Sequence, residues 1–128
     1  VTIQTRGTAV KFGETLAMAT EQSVGAGNKT RGLICGGLTP SILDTIEYIT
    51  IATEGNATDF GNLTDSRHGS ASMSSSTRAC VGGGTAPGNV NTIDYVTIAT
   101  TGNAADFGDL TVARTVPQGL SDVHGGLG

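Results

Sequence analysis

Asp59 and Asp106 stand directly before Phe60 and Phe107, and each follows an Asn by three positions, Asn56 and Asn103. Carboxylate and amide oxygens at this spacing could ligate a hard cation such as Ca²⁺. The same residue types also close Asx turns on their own main chain. No dense ladder of Asp accompanies them, so the turn role is the expected one. Arg67 and Arg114 follow the two Phe residues by seven positions. A guanidinium there could hold an anionic sugar, but the simpler expectation is a bond to main-chain carbonyls between neighbouring sheets. His68 and His124 fall at unrelated places and supply no acid–base pair. Cys35 and Cys80 are too far apart for a CxxC site and read as small buried residues. No HExxH, P-loop or Gly-x-Ser-x-Gly is present. The expectation is a protein that is not an enzyme, with no metal and no cofactor. Asn28, Asn56 and Asn62 each head an Asn-x-Thr sequon and are glycosylation candidates in an extracellular setting.

The chemistry-bearing residues come in pairs because the chain is written twice. Thr30–Ser76 and Thr77–Val123 align without gaps at a shift of 47, with 22 of 47 positions identical. Within Thr45–Thr64 the identity rises to 15 of 20. A third, weaker copy opens the chain: Val1, Ile3, Thr5, Gly7, Ala9, Phe12 and Gly13 echo Ile49, Ile51, Thr53, Gly55, Ala57, Phe60 and Gly61 at a shift of 48. The 128 residues suit one domain, with units at 1–29 (partial), 30–76, 77–123 and 124–128 (partial).

Composition sets the structural class. Aromatic content is only 4%, Trp is absent and Gly numbers 20, so burial must come from Ile, Val, Leu and Ala. Abundant Thr and Gly with few charges argue for β structure joined by tight turns and against disorder. A net charge of -4, with seven basic residues, leaves no electrostatic footprint for nucleic acid or anionic membrane. No apolar run approaches the roughly 18–20 residues of a membrane span.

Each unit reads as four short strands. Strand A is Gly69–Ser76; strand B is Thr30–Gly37 and Thr77–Gly84. Strand C is Thr45–Thr53 and Thr92–Thr100; strand D is Ala57–Thr64 and Ala104–Thr111. Pro40 and Pro87 fall between B and C, where a missing N–H suits a connection. Gly-Asn between C and D suits a tight turn. Strand C is apolar on both faces: Ile46 and Tyr48 on one, Ile49 and Ile51 on the other. That predicts a sheet covered on both sides, as in stacked repeats.

The order of features resembles a kelch repeat. The Gly pair is Gly36–Gly37 and Gly83–Gly84. The strand C aromatic is Tyr48 and Tyr95; the strand D aromatic is Phe60 and Phe107, with Phe12 in the first copy, where that family usually has Trp. Arg67 and Arg114 stand where its Arg follows. The wording NTIDYVTIATTGNA.DFGDLTVAR is similar to kelch-like proteins of cyanobacterium-infecting tailed phages and aquatic metagenomes. The resemblance implies an all-β fold of kelch-like β-propeller blades with four antiparallel strands each, about three blades per chain. It also implies a virion (tail or fibre) or extracellular location.

The chain opens inside a strand C and ends after a strand A near Val116–Val123 with a stub of B at Gly125–Gly128. These N- and C-terminal half-blades are complementary. Propellers usually have 4–8 blades, so the ring is expected to be open or completed by another chain, as a homo-oligomeric ring or filament. A fragment of a longer repeat protein is the alternative. The expected function is structural self-assembly. The other reading is a receptor- or glycan-binding module touching a host surface through Leu38–Asp44 and Thr85–Asn91.

Overall fold

The computed structural model describes residues 10–13, 16 and 19–121. Val1, Ile3, Thr5, Gly7 and Ala9 of the weaker first copy, His124 and the expected strand B stub at Gly125–Gly128 lie outside these residues. Strands β1 (Val24–Gly27), β2 (Arg31–Thr39), β3 (Ser41–Thr50) and β4 (Thr58–Asn62) form one antiparallel meander. Strands β5 (Ala71–Ser74), β6 (Arg78–Gly82), β9 (Thr92–Thr97) and β10 (Ala105–Asp109) form a second. Between β6 and β9 lies a small hairpin of β7 (Thr85–Ala86) and β8 (Gly88–Asn89). The protein is all-β, one four-stranded sheet per repeat, in the A–B–C–D order its turn residues dictate.

The turns have local causes that recur at the repeat spacing. The Asn28 side-chain oxygen accepts the N–H groups of Thr30 (2.9 Å) and Arg31 (3.0 Å), closing the β1–β2 turn. In the second sheet the Ser75 hydroxyl accepts those of Thr77 (3.2 Å) and Arg78 (3.1 Å). Each is a short polar side chain substituting for a backbone turn acceptor.

Two expectations need correction. Strands B and C do not stop at Gly37 and Thr45: β2 runs on to Thr39 and β3 begins at Ser41, so the connection is Pro40 alone, at the tip of a hairpin. Pro87 likewise tips the β7–β8 hairpin. A missing N–H breaks a ladder but costs nothing at a tip, so the strands continue up to the proline. The expected strand A near Val116–Val123 is, over the described residues 116–121, an irregular segment without ladder pairing. It still lies on β5, with the Ser121 hydroxyl donating to the Ser74 carbonyl.

The core lies between the two sheets. Leu33, Cys35, Ile46, Phe60 and Leu63 of the first pack against Ala79, Val81, Val96 and Ile98 of the second. Burial of Leu33, Ile46 and Ile98 stabilises by roughly 1.5–3 kcal/mol each. Ile46 and its neighbour Glu47 are both buried although they face opposite ways, so the first sheet is covered on both sides.

Phe60 and Phe107 are each the extra residue of a bulge. The register passes from Ile46–Gly61 to Glu47–Asp59, and from Asp94–Asp106 to Ile93–Gly108. The glycine after each bulge takes a positive φ, 148° at Gly61 and 144° at Gly108. At Gly61 an added Cβ would lie 2.5 Å from the carbonyl carbon of Gly102, whereas at Gly108 it would meet nothing within 4 Å. Both substitutions strain the backbone, at about 1–3 kcal/mol. Only Gly61→Ala also forces two main chains apart, for a further 1–3 kcal/mol or so. Urea titration of the two variants is expected to show Gly61→Ala less stable than Gly108→Ala by about that margin; equal losses would contradict this packing.

Candidate functional site: the face between the repeats

The glycine pairs set the site up. Gly36 and Gly37 take φ of 59° and 119°, and Gly83 and Gly84 take 66° and 102°. This left-handed backbone turns the Gly37 N–H onto the Arg67 carbonyl and the Gly84 N–H onto that of Arg114, both at 2.9 Å. The Arg67 N–H in turn donates to the Leu43 carbonyl (2.9 Å), and the Arg114 N–H to that of Val90 (3.2 Å). Each arginine main chain is therefore fixed to the strand B–C region of its own repeat. Only its side chain is left to reach elsewhere.

The Arg67 side chain reaches the next repeat. Its Nη2 donates to Asp94 Oδ2 at 2.9 Å and to Thr64 Oγ1 at 3.1 Å, and its Nη1 donates to the Thr92 carbonyl at 3.0 Å. Asp94 also accepts the Thr64 N–H (2.9 Å) and the Thr64 hydroxyl (2.6 Å). The two charged side chains are 0% and 1% exposed. A buried ion pair persists only where hydrogen bonds satisfy its remaining donors and acceptors, and Thr64 and Thr92 do so here. Arg114 has no such partner among the described residues: it is exposed, and its Nε donates to the Val112 carbonyl at 3.3 Å.

An aromatic row lies on the same face. Arg31 sits 4.7 Å over the Tyr48 ring, which meets Phe60 edge-on at 5.9 Å. Arg78, Tyr95 and Phe107 repeat the row at 4.9 Å and 5.9 Å. Arg31 Nη1 crosses to the Ile98 carbonyl of the second repeat at 2.8 Å.

Main chain completes the contact. The Gly102 N–H donates to the Phe60 carbonyl at 2.7 Å, and the Ala104 N–H to the Asn62 carbonyl at 2.8 Å. The Asn103 side-chain oxygen accepts the Asn62 N–H at 3.1 Å. One step earlier the Gly55 N–H donates to the Phe12 carbonyl at 3.1 Å. At the far edge the Ser74 hydroxyl donates to the Gly27 carbonyl at 2.8 Å, and the Ser72 hydroxyl to that of Gly25.

The remaining candidates do not converge. Asp106 Oδ1 accepts the Gly108 N–H at 2.9 Å, an Asx turn across the bulge rather than at the C–D turn. Asp59 is exposed on β4. No group of three or more His, Cys, Asp or Glu among the described residues could hold a metal ion. His68 Nδ1 lies 2.6 Å from Gln22 Oε1. Of the sequon residues, Asn56 is exposed, whereas Asn28 Nδ2 is engaged with the Ser76 carbonyl at 2.8 Å. No helix among the described residues is long and apolar enough to cross a membrane.

Asp94, Thr64 and Arg31 were not among the residues the sequence singled out. Their signal was present: an acid at the same point of TIEY and TIDY, a Thr after each FGNL or FGDL, and an Arg in each TRG or TRA. The arrangement binds one β-sheet repeat to another through main chain and a buried ion pair.

Burial pushes the Cys35 thiol up to about 12. The folded value lies above the unfolded one, so this contribution to stability is whole below about pH 9. It is lost as pH rises from there toward 12. Native Cys35 is expected to resist a thiol reagent until the chain unfolds, and a Cys35→Ala variant is expected to lose that part of the alkaline decline; rapid native labelling of Cys35 would contradict its burial. At the interface, Arg67→Ala leaves Asp94 buried without its cation, at an expected cost of about 3–5 kcal/mol. Arg114→Ala is expected to stay within about 0.5 kcal/mol of wild type. Denaturant melts of the two variants distinguish a pair-specific role from a general one. Neither protein-family models nor curated protein sequences give a match to this chain.

Proposed function

We propose that the protein is a non-enzymatic structural component that assembles by stacking β-sheet repeats, its sheets acting as kelch-like propeller blades in a ring or filament. The supporting observation is the reuse of two contacts along the chain. Phe12 meets Gly55 as Phe60 meets Gly102, and Ser121 meets Ser74 as Ser74 meets Gly27. A unit whose faces match its neighbours' in this way extends by addition of like units. With the phage-like wording of the sequence, this favours a virion tail, fibre or extracellular location.

A second reading, a receptor- or glycan-binding module, has one observation on its side. A shallow polar depression at the first C–D turn is lined by Tyr48, Thr50, Glu54, Asn56 and Thr58. Hydroxyl, amide and carboxylate groups beside an aromatic ring can bind a sugar.

Sedimentation and negative-stain microscopy of the 128-residue chain test the first reading. Rings or filaments growing with concentration are expected. A folded monomer at all concentrations would overturn it, and saturable glycan binding by that monomer would establish the second.

A further inference from the structure

We infer that the second repeat closes both open edges of the first sheet against strand addition. This goes beyond the self-assembly reading, since it names an association the fold forbids, and it holds for a monomer as for a stack. Among the described residues β1 pairs only with β2, and β4 only with β3. Outward backbone groups on such strands are a template for a further strand, and proteins block them with charge, proline or a covering segment. Strand β1 reads Val-Gly-Ala-Gly, with no charge, no proline and no side chain larger than Val24 to obstruct a newcomer. Its closure has to come from elsewhere in the molecule.

Serines of the next repeat supply it. The Ser72 hydroxyl donates to the Gly25 carbonyl, and the Ser74 hydroxyl to that of Gly27 at 2.8 Å. The Gly27 N–H in turn donates to Ser74 Oγ at 3.4 Å. A hydroxyl both donates and accepts, so one serine serves both outward groups of Gly27. Beyond the two ends of β1, the Gly69 N–H donates to the Gln22 carbonyl at 3.0 Å, and Asn28 Nδ2 to the Ser76 carbonyl at 2.8 Å. Ser72 and Ser74 stand 47 positions after Gly25 and Gly27, and Ser121, 47 after Ser74, takes the Ser74 carbonyl in the same way. A hydroxyl lacks the alternating N–H and C=O on which a ladder continues, so the sheet stops at β1. The β4 edge is closed with main chain. The Phe60 and Asn62 carbonyls take the Gly102 and Ala104 N–H groups, and the Asn103 side-chain oxygen takes the Asn62 N–H. Residues 102–104 lie before β10 and outside any strand, so pairing goes no further there either. One neighbour closes both edges, and the stacking of repeats is also what keeps their sheets from being extended.

A double variant, Ser72→Ala with Ser74→Ala, removes the β1 closure. Ser76→Ala is the control, because Ser76 meets Asn28 through its carbonyl and not its hydroxyl. Native-state hydrogen exchange at Gly27 and thioflavin-T fluorescence over time read the outcome. The double variant is expected to exchange the Gly27 amide roughly tenfold faster than wild type and the control. It is also expected to form thioflavin-positive aggregate roughly tenfold sooner. Unchanged exchange and unchanged lag overturn the inference, whatever oligomer wild type forms by stacking. Faster exchange with an unchanged lag overturns it too, since the edge is then open and takes no strand. If the double variant does not fold, the wild-type Gly27 amide decides: a protection factor of about ten or more supports the closure, and a factor near one overturns it.

Discussion

A four-stranded sheet built from Ile, Val, Thr and Gly, with three Phe, two Tyr and no Trp in the whole chain, cannot bury its own faces. The structure depends on how closely one such sheet can approach the next. That approach is set where the turn at Gly102 meets strand β4 at Gly61, main chain against main chain. A side chain at Gly61 would hold the turn away. With the turn seated, Phe60 closes over, Ile98 and Val96 are shielded, and the Asp94 carboxylate comes within reach of Arg67.

The ion pair and the glycine pair then belong to one device. The left-handed backbone at Gly36 and Gly37 fixes the Arg67 main chain to its own repeat, and the guanidinium joins that repeat to the next. Burying two charges gains little net stability over an apolar contact, but an unmatched partner is costly. The pair therefore acts chiefly on register: a sheet slipped by one residue would leave Asp94 without Arg67.

Much of this was legible in the chain. The shift of 47 located both sheets, and Gly-Asn and Pro fell in their connections, but the C–D connection runs from Thr50 to Thr58 rather than as a tight turn, and Gly55 takes no positive φ. Apolar residues on both faces of strand C announced that the first sheet would be covered twice, as the joint burial of Ile46 and Glu47 shows. Three things were not legible. A proline in sequence does not say whether it breaks a strand or tips a hairpin, because that depends on whether its neighbours find partners. The Phe60 bulge is invisible because one extra residue leaves no mark on an alternation this short. The Arg67–Asp94 pair joins residues of different repeats, and a repeat alignment sets like beside like rather than one repeat's Arg beside the next one's Asp.

The seating of the turn on β4 is measured most directly by native-state hydrogen exchange at Gly102 and Ala104. Neither amide has a ladder partner in its own sheet; each donates across to the first repeat, at 2.7 and 2.8 Å. Protection of both amides to the level of the β3 and β9 ladders is the expected result. Exchange at the rate of exposed turn amides, with those ladders still protected, would contradict the account.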